Sequence, residues 1–261
     1  MKRNKTKISD ILKLITKVIL ALLVAGLFSL LIYFSFKWCQ YNDLFAINSI
    51  YITGNNITDD NEILKICQEL YNKNIFSINE KAIQQKLEKL PYIYAACISK
   101  FLPSSLVVRI YERKPLSFVK LKQLYVADEN FTLLPLPEAN RSLSLPVINY
   151  QLTPVPKINQ MDKINDTNIL SALNIVKSAK YEFKSLYNHI SEVVITNEGF
   201  SIITTDRGIP IYLGKDNLKH KLRILLKFQE TIGDSRTYTQ FHYIDLRWKK
   251  QVIVGSSRKR G

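Results

Sequence analysis

Three features of this 261-residue sequence predict an α+β fold carried behind a single N-terminal transmembrane helix. An uncharged apolar run fills Val18 to Phe36. Apolar spacing then switches between strand and helix periods over residues 45–114 in the order β-α-α-β-β, and residues 115–255 repeat short alternating segments between tight turns. The chain therefore divides into a basic leader (1–17), a membrane helix (18–36), a small α+β domain (45–114), a mainly antiparallel β domain with flanking helices (115–255) and a basic tail (256–261).

At about 1.5 Å per residue the run spans roughly 28 Å, close to the thickness of a bilayer's hydrocarbon core. Lys2, Arg3, Lys5, Lys7, Lys13 and Lys17 precede it with only Asp10 against them, which places the N-terminus in the cytoplasm. No small-x-small cleavage site follows, and Lys37, Trp38 and Tyr41 are interfacial anchors, so the segment reads as an uncleaved anchor. Everything beyond about Cys39 then lies outside the cytoplasm.

The exported part has an ordinary globular composition, with 46% hydrophobic and 11% aromatic residues over the whole chain. The net charge of +15 owes much to the leader and to Arg258-Lys259-Arg260. The other basic residues are spread out rather than set in a stripe between aromatics, which argues for a lipid surface or an acidic partner and against nucleic acid. Cys39, Cys67 and Cys97 leave open one disulfide plus a free thiol. Cys67 continues the apolar face of a helix and Cys97 points away from the core side of its strand, which argues against joining those two.

Element by element, Phe45 to Thr53 alternates as a half-buried strand and Gly54-Asn55-Asn56 ends it. Asp59 three residues before Glu62 resembles a capping box for a helix to Leu70; a second helix starts near Asn79 and stops at Pro91. Strands follow at 93–101 and 106–112. In the second domain, 124–127 and 131–134 flank the turn Asp128-Glu-Asn130, and the proline-punctuated stretch 143–163 reads as a surface connection. Asp166 caps a helix, strands at 189–196, 200–204 and 209–213 form an antiparallel meander, and a helix runs from about 216 to 231 with its charged residues mostly outward. Residues 241–248 and 251–254 form a terminal hairpin whose last strand lies at the sheet edge.

Catalytic signatures are missing: the sequence has no Walker loop, HExxH, GxSxG, CxxC or dinucleotide fingerprint. His189, His220 and His242 are scattered. Asp128 with Glu129, or Asp206 with Asp216, could form acid and base pairs for glycoside cleavage, but turn chemistry and helix capping account for all four.

The residues resemble the FtsQ/DivIB family of bacterial cell-division proteins. In the first domain the matching pattern is Phe45-x-Ile47-x-x-Ile50-x-Ile52-x-Gly54-Asn55, Asn74-Ile-Phe76-x-Ile78, Leu90-Pro91-x-Ile93-x-x-Ala96, Leu102-Pro103-x-x-Leu106-x-Val108 and Glu112-Arg113-x-Pro115. In the second it is Val126-Ala-Asp128, Leu145-Pro146, Tyr212-Leu213-Gly214 with Lys221-Leu222, and Tyr243-Ile-Asp245-Leu246-Arg247-Trp248. Asn130, Lys249-Lys250-Gln251 and Ser256 depart from the family pattern.

The resemblance implies a POTRA domain followed by a β domain, and a scaffold at the division septum of the inner membrane with no enzymatic activity, cofactor, metal or small-molecule substrate. Its implied partners are FtsB-like and FtsL-like proteins, paired through the terminal strand. Other divisome membrane proteins are reached through the POTRA domain and membrane segment. Tyr243, Arg247, Trp248, Gln251, Val252 and Lys215 become the partner-binding residues, with Arg247 and Lys215 facing acidic groups and Tyr243 and Trp248 as aromatic anchors. Val18, Phe36, Lys37 and Trp38 are the membrane anchor. Competing readings are a POTRA assembly chaperone, for which one unit and no barrel are visible, and a tethered peptidoglycan-binding protein or hydrolase.

Overall fold

A computed structural model describes residues 3–41, 43–137, 143–232, 238–249 and 251–256. Arg258-Lys259-Arg260 of the basic tail, Lys250, Lys2 and the leader side chains up to residue 12 lie outside that description.

Helix α1 (Arg3–Tyr41) contains one stretch, Lys13–Tyr41, long and apolar enough to cross a membrane, with a mean hydropathy of 2.6 in its most apolar window and none of that window buried. Within it the Ser29 hydroxyl donates to the Ala25 carbonyl, so its polar group is satisfied inside the helix.

The chain separates into two compact units, the first made of residues 1–55, 59–89 and 95–111. After a 3-10 turn (Asp43–Phe45) come β1 (Ser49–Thr53), α2 (Asp60–Cys67), α3 (Glu80–Leu87), β2 (Ile93–Phe101) and β3 (Ser105–Glu112). The sheet order is β1-β3-β2, with β1 parallel to β3. Asp59 caps α2 by accepting from the Asn61 N–H, and Asn79 caps α3 through the Ala82 N–H, so both predicted starts hold. The second helix ends at Leu87, short of Pro91, and a 3-10 turn (Gln68–Leu70) finishes the first. Ile63, Cys67, Ile83 and Leu87 are buried on the helices, as are Ile98, Leu106, Val108 and Ile110 on the strands.

Cys67 is fully buried and Cys97 exposed, both as thiols. Burial pushes the Cys67 thiol up to about 11. In the native full-length protein a maleimide should therefore modify Cys97 readily and Cys67 only after denaturant is added; mass mapping of the adducts checks this.

The second unit takes in residues 56–58, 90–94 and 112–261. The Glu112 carboxylate accepts from the backbone N–H groups of Asn56, Ile57 and Thr58 at 2.7–2.9 Å, so it satisfies three donors of one loop. The strands are β4 (Pro115–Lys120), β5 (Leu124–Asp128), β6 (Leu133–Leu134), β7 (Val147–Tyr150), β8 (Ile190–Thr196), β9 (Gly199–Thr204), β10 (Pro210–Gly214), β11 (Phe241–Asp245) and β12 (Ile253–Ser256). The helices are α4 (Thr167–Glu182), α5 (Lys184–Tyr187) and α6 (Leu218–Ile232). One sheet forms in the order β12-β11-β10-β9-β8-β7-β4-β5-β6.

One expectation needs correction. The stretch 143–163 is not only a connection: β7 sits inside the sheet, parallel to β4 and β8, with Ile148 fully buried. The predicted antiparallel meander forms over β8, β9 and β10, and β11 and β12 form the predicted terminal hairpin, joined to it by a parallel β10–β11 pair. Parallel neighbours need a long crossover, and α4 between β7 and β8 and α6 between β10 and β11 supply it. Leu173, Val176, Leu222 and Leu225 from these helices join Ile148, Val193, Ile211, Ile244 and Leu246 in one core. The turn at Asp128 forms between β5 and β6 as the sequence predicts: Asp128 is buried, accepts from the Asn130 and Thr132 N–H groups and pairs with Arg113 at 3.1 Å.

The two edges of the sheet are unlike. Along β6, Leu133 exchanges backbone bonds with Asp162 and Met161, which covers that edge. At the other end β12 pairs with β11 alone among the described residues.

Candidate partner-binding edge

Alternation along β11 decides which side chains reach this edge. Ile244 and Leu246 turn into the core, so Tyr243, Asp245 and Arg247 fall on the opposite side. Opposite them β12 runs antiparallel, with Tyr243 paired to Gly255, Ile244 to Val254 and Asp245 to Ile253. The Tyr243 ring lies across Gly255, where a Cβ would stand 2.6 Å from Cε1, so a side chain there would displace the ring. On its other side Tyr243 meets the Tyr212 ring with centroids 6.3 Å apart.

Arg247, expected to face an acidic group, already pairs with two carboxylates of its own chain. Asp245 is buried, and both its oxygens accept from the guanidinium, at 2.7 Å from Nη2 and 3.0–3.1 Å from Nε. Nη1 donates to Glu198 at 3.0 Å, and the guanidinium lies 5.0 Å above the Tyr212 ring. Glu198 comes from the β8–β9 turn. That turn is pinned by Gly199 (φ +118°), where a Cβ would stand 2.4 Å from the Gly214 carbonyl carbon. Lys221, also expected to point outward, is half-buried and donates to the Leu213 carbonyl at 2.6 Å. A shallow cleft of ≈ 340 Å³ lies beside this cluster, lined by Glu198, Ser201, Tyr212 and Arg247 among others.

Of the remaining expected residues, Trp248 is 62% exposed, Gln251 and Lys215 are exposed, and Val252 is half-buried against the core. The structure thus gathers Tyr243 and Arg247 into one cluster and adds Tyr212, Asp245 and Glu198, which the sequence reading had not assigned to the site. The Tyr212-Leu213-Gly214 motif was the available signal for the first of these. Glu198 carried none, since its pairing crosses 49 positions.

Three of the four carboxylates weighed for catalysis are otherwise engaged, and Asp216 is exposed. Asp128 serves Arg113 and its own turn; Glu129 accepts from Lys180 at 2.8 Å and from the Tyr181 hydroxyl; Asp206 stands 3.2 Å from His189. No cluster of three metal-ligating side chains occurs among the described residues.

Burial raises the pKa of both Glu129 and Asp245, but hydrogen bonds and charge from Lys180 and Tyr181 on the first, and from Arg247 on the second, hold each below the ordinary carboxylate range. A folded-state pKa below the unfolded value means that the unfolded chain takes up protons first. The stabilisation is complete above the ordinary carboxylate range, near pH 4, and is lost as pH falls through it. Urea midpoints should fall on acidification from about pH 5 to 3, and the fall should flatten in the Glu129→Gln, Asp245→Asn variant.

Two family descriptions match the chain: "POTRA domain, FtsQ-type" over residues 45–113 and "Cell division protein FtsQ/DivIB, C-terminal" over residues 119–247. The chain belongs to the FtsQ/DivIB family of cell-division proteins. It is 24% identical over 214 residues to "Cell division protein FtsQ" of Syntrophotalea carbinolica, covering 82% of this chain and 74% of the relative. With the FtsQ of Koribacter versatilis it shares 24% identity over 214 residues, 79% of this chain but only 59% of the relative. "Cell division protein DivIB" of Clostridium tetani is 27% identical over 227 residues, 83% and 81% of the two chains. Family membership and the one apolar helix fit a single-pass membrane protein of the division site. The C-terminal family match stops at Arg247, so it does not reach Trp248 or β12.

Proposed function

We propose that this FtsQ/DivIB-family protein is a non-enzymatic divisome scaffold that captures FtsB-like and FtsL-like partners along β12, with its N-terminus cytoplasmic and residues 45–255 outside the cytoplasm. Residues 45–114 serve recruitment and residues 115–255 serve partner binding. The observation that carries the reading is the contrast between the two sheet edges, one covered by residues 161–163 and the other ending in β12. An uncovered strand offers a row of backbone donors and acceptors for an added strand, and alternate side chains supply selectivity. Tyr243 on β11 and Trp248 and Gln251 in the connection to β12 are exposed, with Lys215 as a further cation and Val252 packed against the core. Tethering in a shared bilayer raises the effective concentration of that edge, so that a modest contact suffices.

Affinity capture of the intact membrane protein tests the assignment. Co-purification of an FtsB-FtsL pair, lost in the Trp248→Ala, Arg247→Glu variant, is expected, together with filamentous cells on depletion. Capture unchanged by that variant would show the site to be elsewhere. Turnover of peptidoglycan that disappears on replacing the partly exposed Asp206 would favour the hydrolase reading instead.

Arg247 already holds two acids of unequal accessibility: the Asp245 side chain is 8% exposed and that of Glu198 78%. A partner carboxylate would exchange with Glu198 and leave Asp245 in place. Glu198→Ala should therefore tighten capture about two- to fivefold, the range of an exposed ion pair, when measured by titration of the partner.

A further inference from the structure

The last turn of α1 does not lead into a loose tether. The final carbonyls of a helix lack intrahelical partners, and Asn74 supplies one: its Nδ2 donates to the Cys39 carbonyl at 2.7 Å. The same side chain accepts from the Phe76 N–H at 2.9 Å, so its turn is fixed as well. Ile75 N–H donates to the Phe45 carbonyl at 2.8 Å, and Ala46 bridges Asn74, which lays the 74–76 segment along 45–46. The Trp38, Phe45 and Phe76 rings meet edge to face in sequence, with centroids 6.4 and 5.1 Å apart. This gives the Asn74-Ile-Phe76 motif a physical task at the end of α1.

Depth follows from these contacts. If the hydrocarbon ends near Phe36, Cys39 stands about 4.5 Å beyond it at the helical rise. The polar layer of a bilayer is roughly 5–8 Å thick on each side. Groups touching Trp38 and Cys39 therefore lie within it. Leu44 is 58% exposed, Trp38 60% and Tyr41 80%, and Lys37 lies 5.8 Å from the Tyr41 ring. Lys73, next to Asn74, is exposed, as is Asp43 in the turn after α1.

We propose that the Asn74 cap and the Trp38-Phe45-Phe76 stack seat this end of the POTRA domain in the lipid headgroup layer, with Leu44 and the aromatic rings in the interface and Lys37 and Lys73 at the lipid phosphates. Amphipathic aromatics and lysines are the side chains that favour that depth. The inference rests on α1 spanning the bilayer and adds that the domain is docked on it rather than swinging beneath it.

Spin-label depth measurements on the full-length protein test this, in vesicles of phosphatidylethanolamine and phosphatidylglycerol with Cys39 and Cys97 changed to serine. Single labels at Leu44→Cys and Lys73→Cys are expected to be shielded several-fold from a water-soluble nickel chelate and reachable by oxygen. The shielding should be lost in an Asn74→Asp, Phe45→Ala background, where aspartate keeps the turn but cannot donate to Cys39. A third label, Gly26→Cys, reports α1 itself. Labels at 44 and 73 fully open to the chelate while that at 26 is shielded would overturn the docking; a label at 26 open to the chelate would overturn the spanning helix and the docking together. Because the depths are read first with the junction intact, failure of the double variant to fold does not affect the result.

Discussion

Replacing Asp128 with alanine should cost about 3–5 kcal/mol, the largest stability loss expected from any single polar substitution in this protein. Asp128 is fully buried, and its two oxygens serve Arg113 at 3.1 Å and the N–H groups of Asn130 and Thr132 at 2.9 and 2.7 Å. Alanine would leave two backbone donors and a guanidinium with only 16% side-chain exposure to find other partners. Arg113 has little to spare, since its Nε is already buried without a hydrogen-bond partner. Against a total stability of typically 5–15 kcal/mol the loss is large. Urea unfolding of the full chain in detergent measures it. The companion Arg113→Met change should recover part of the loss, because it removes the stranded charge; strict additivity of the two would contradict the account.

Trp248→Ala should do the opposite: leave stability within about 0.5 kcal/mol and weaken partner capture roughly 30-fold or more. The indole is 62% exposed, so little packing is lost in the free protein. An aromatic beside an added strand becomes buried only in the complex, where truncating a central anchor costs about 2 kcal/mol or more. Partner titration and urea unfolding of the same variant separate the two quantities. Equal losses in both would make Trp248 a structural residue.

How much of this was legible in the sequence depends on the range of the interaction. The α1 run, the Asp59, Asn79 and Asp166 caps and the alternation that buries Ile244 and Leu246 are local patterns, and each appears where its pattern predicts. The strand β7 escaped because it is four residues long, lies between prolines and takes its place from parallel neighbours on both sides. Parallel pairing leaves no turn residue to announce it. At the site, Tyr243 and Arg247 are visible through their motif, whereas the role of Asp245 as the buried partner of Arg247 is not. Nor is Glu198, because a pinned turn on another strand pair brings it there. The same holds for the ion pairs of Arg247: charge can be counted in a sequence, but pairing with a distant carboxylate cannot.

Amide hydrogen exchange along β12 tests the central claim most directly. With the full-length protein and saturating FtsB-FtsL, amides within Ile253–Ser256 should slow at least about tenfold as an added strand takes up their free bonding positions. Binding that leaves exchange across Ile253–Ser256 unchanged and slows another surface instead would contradict it.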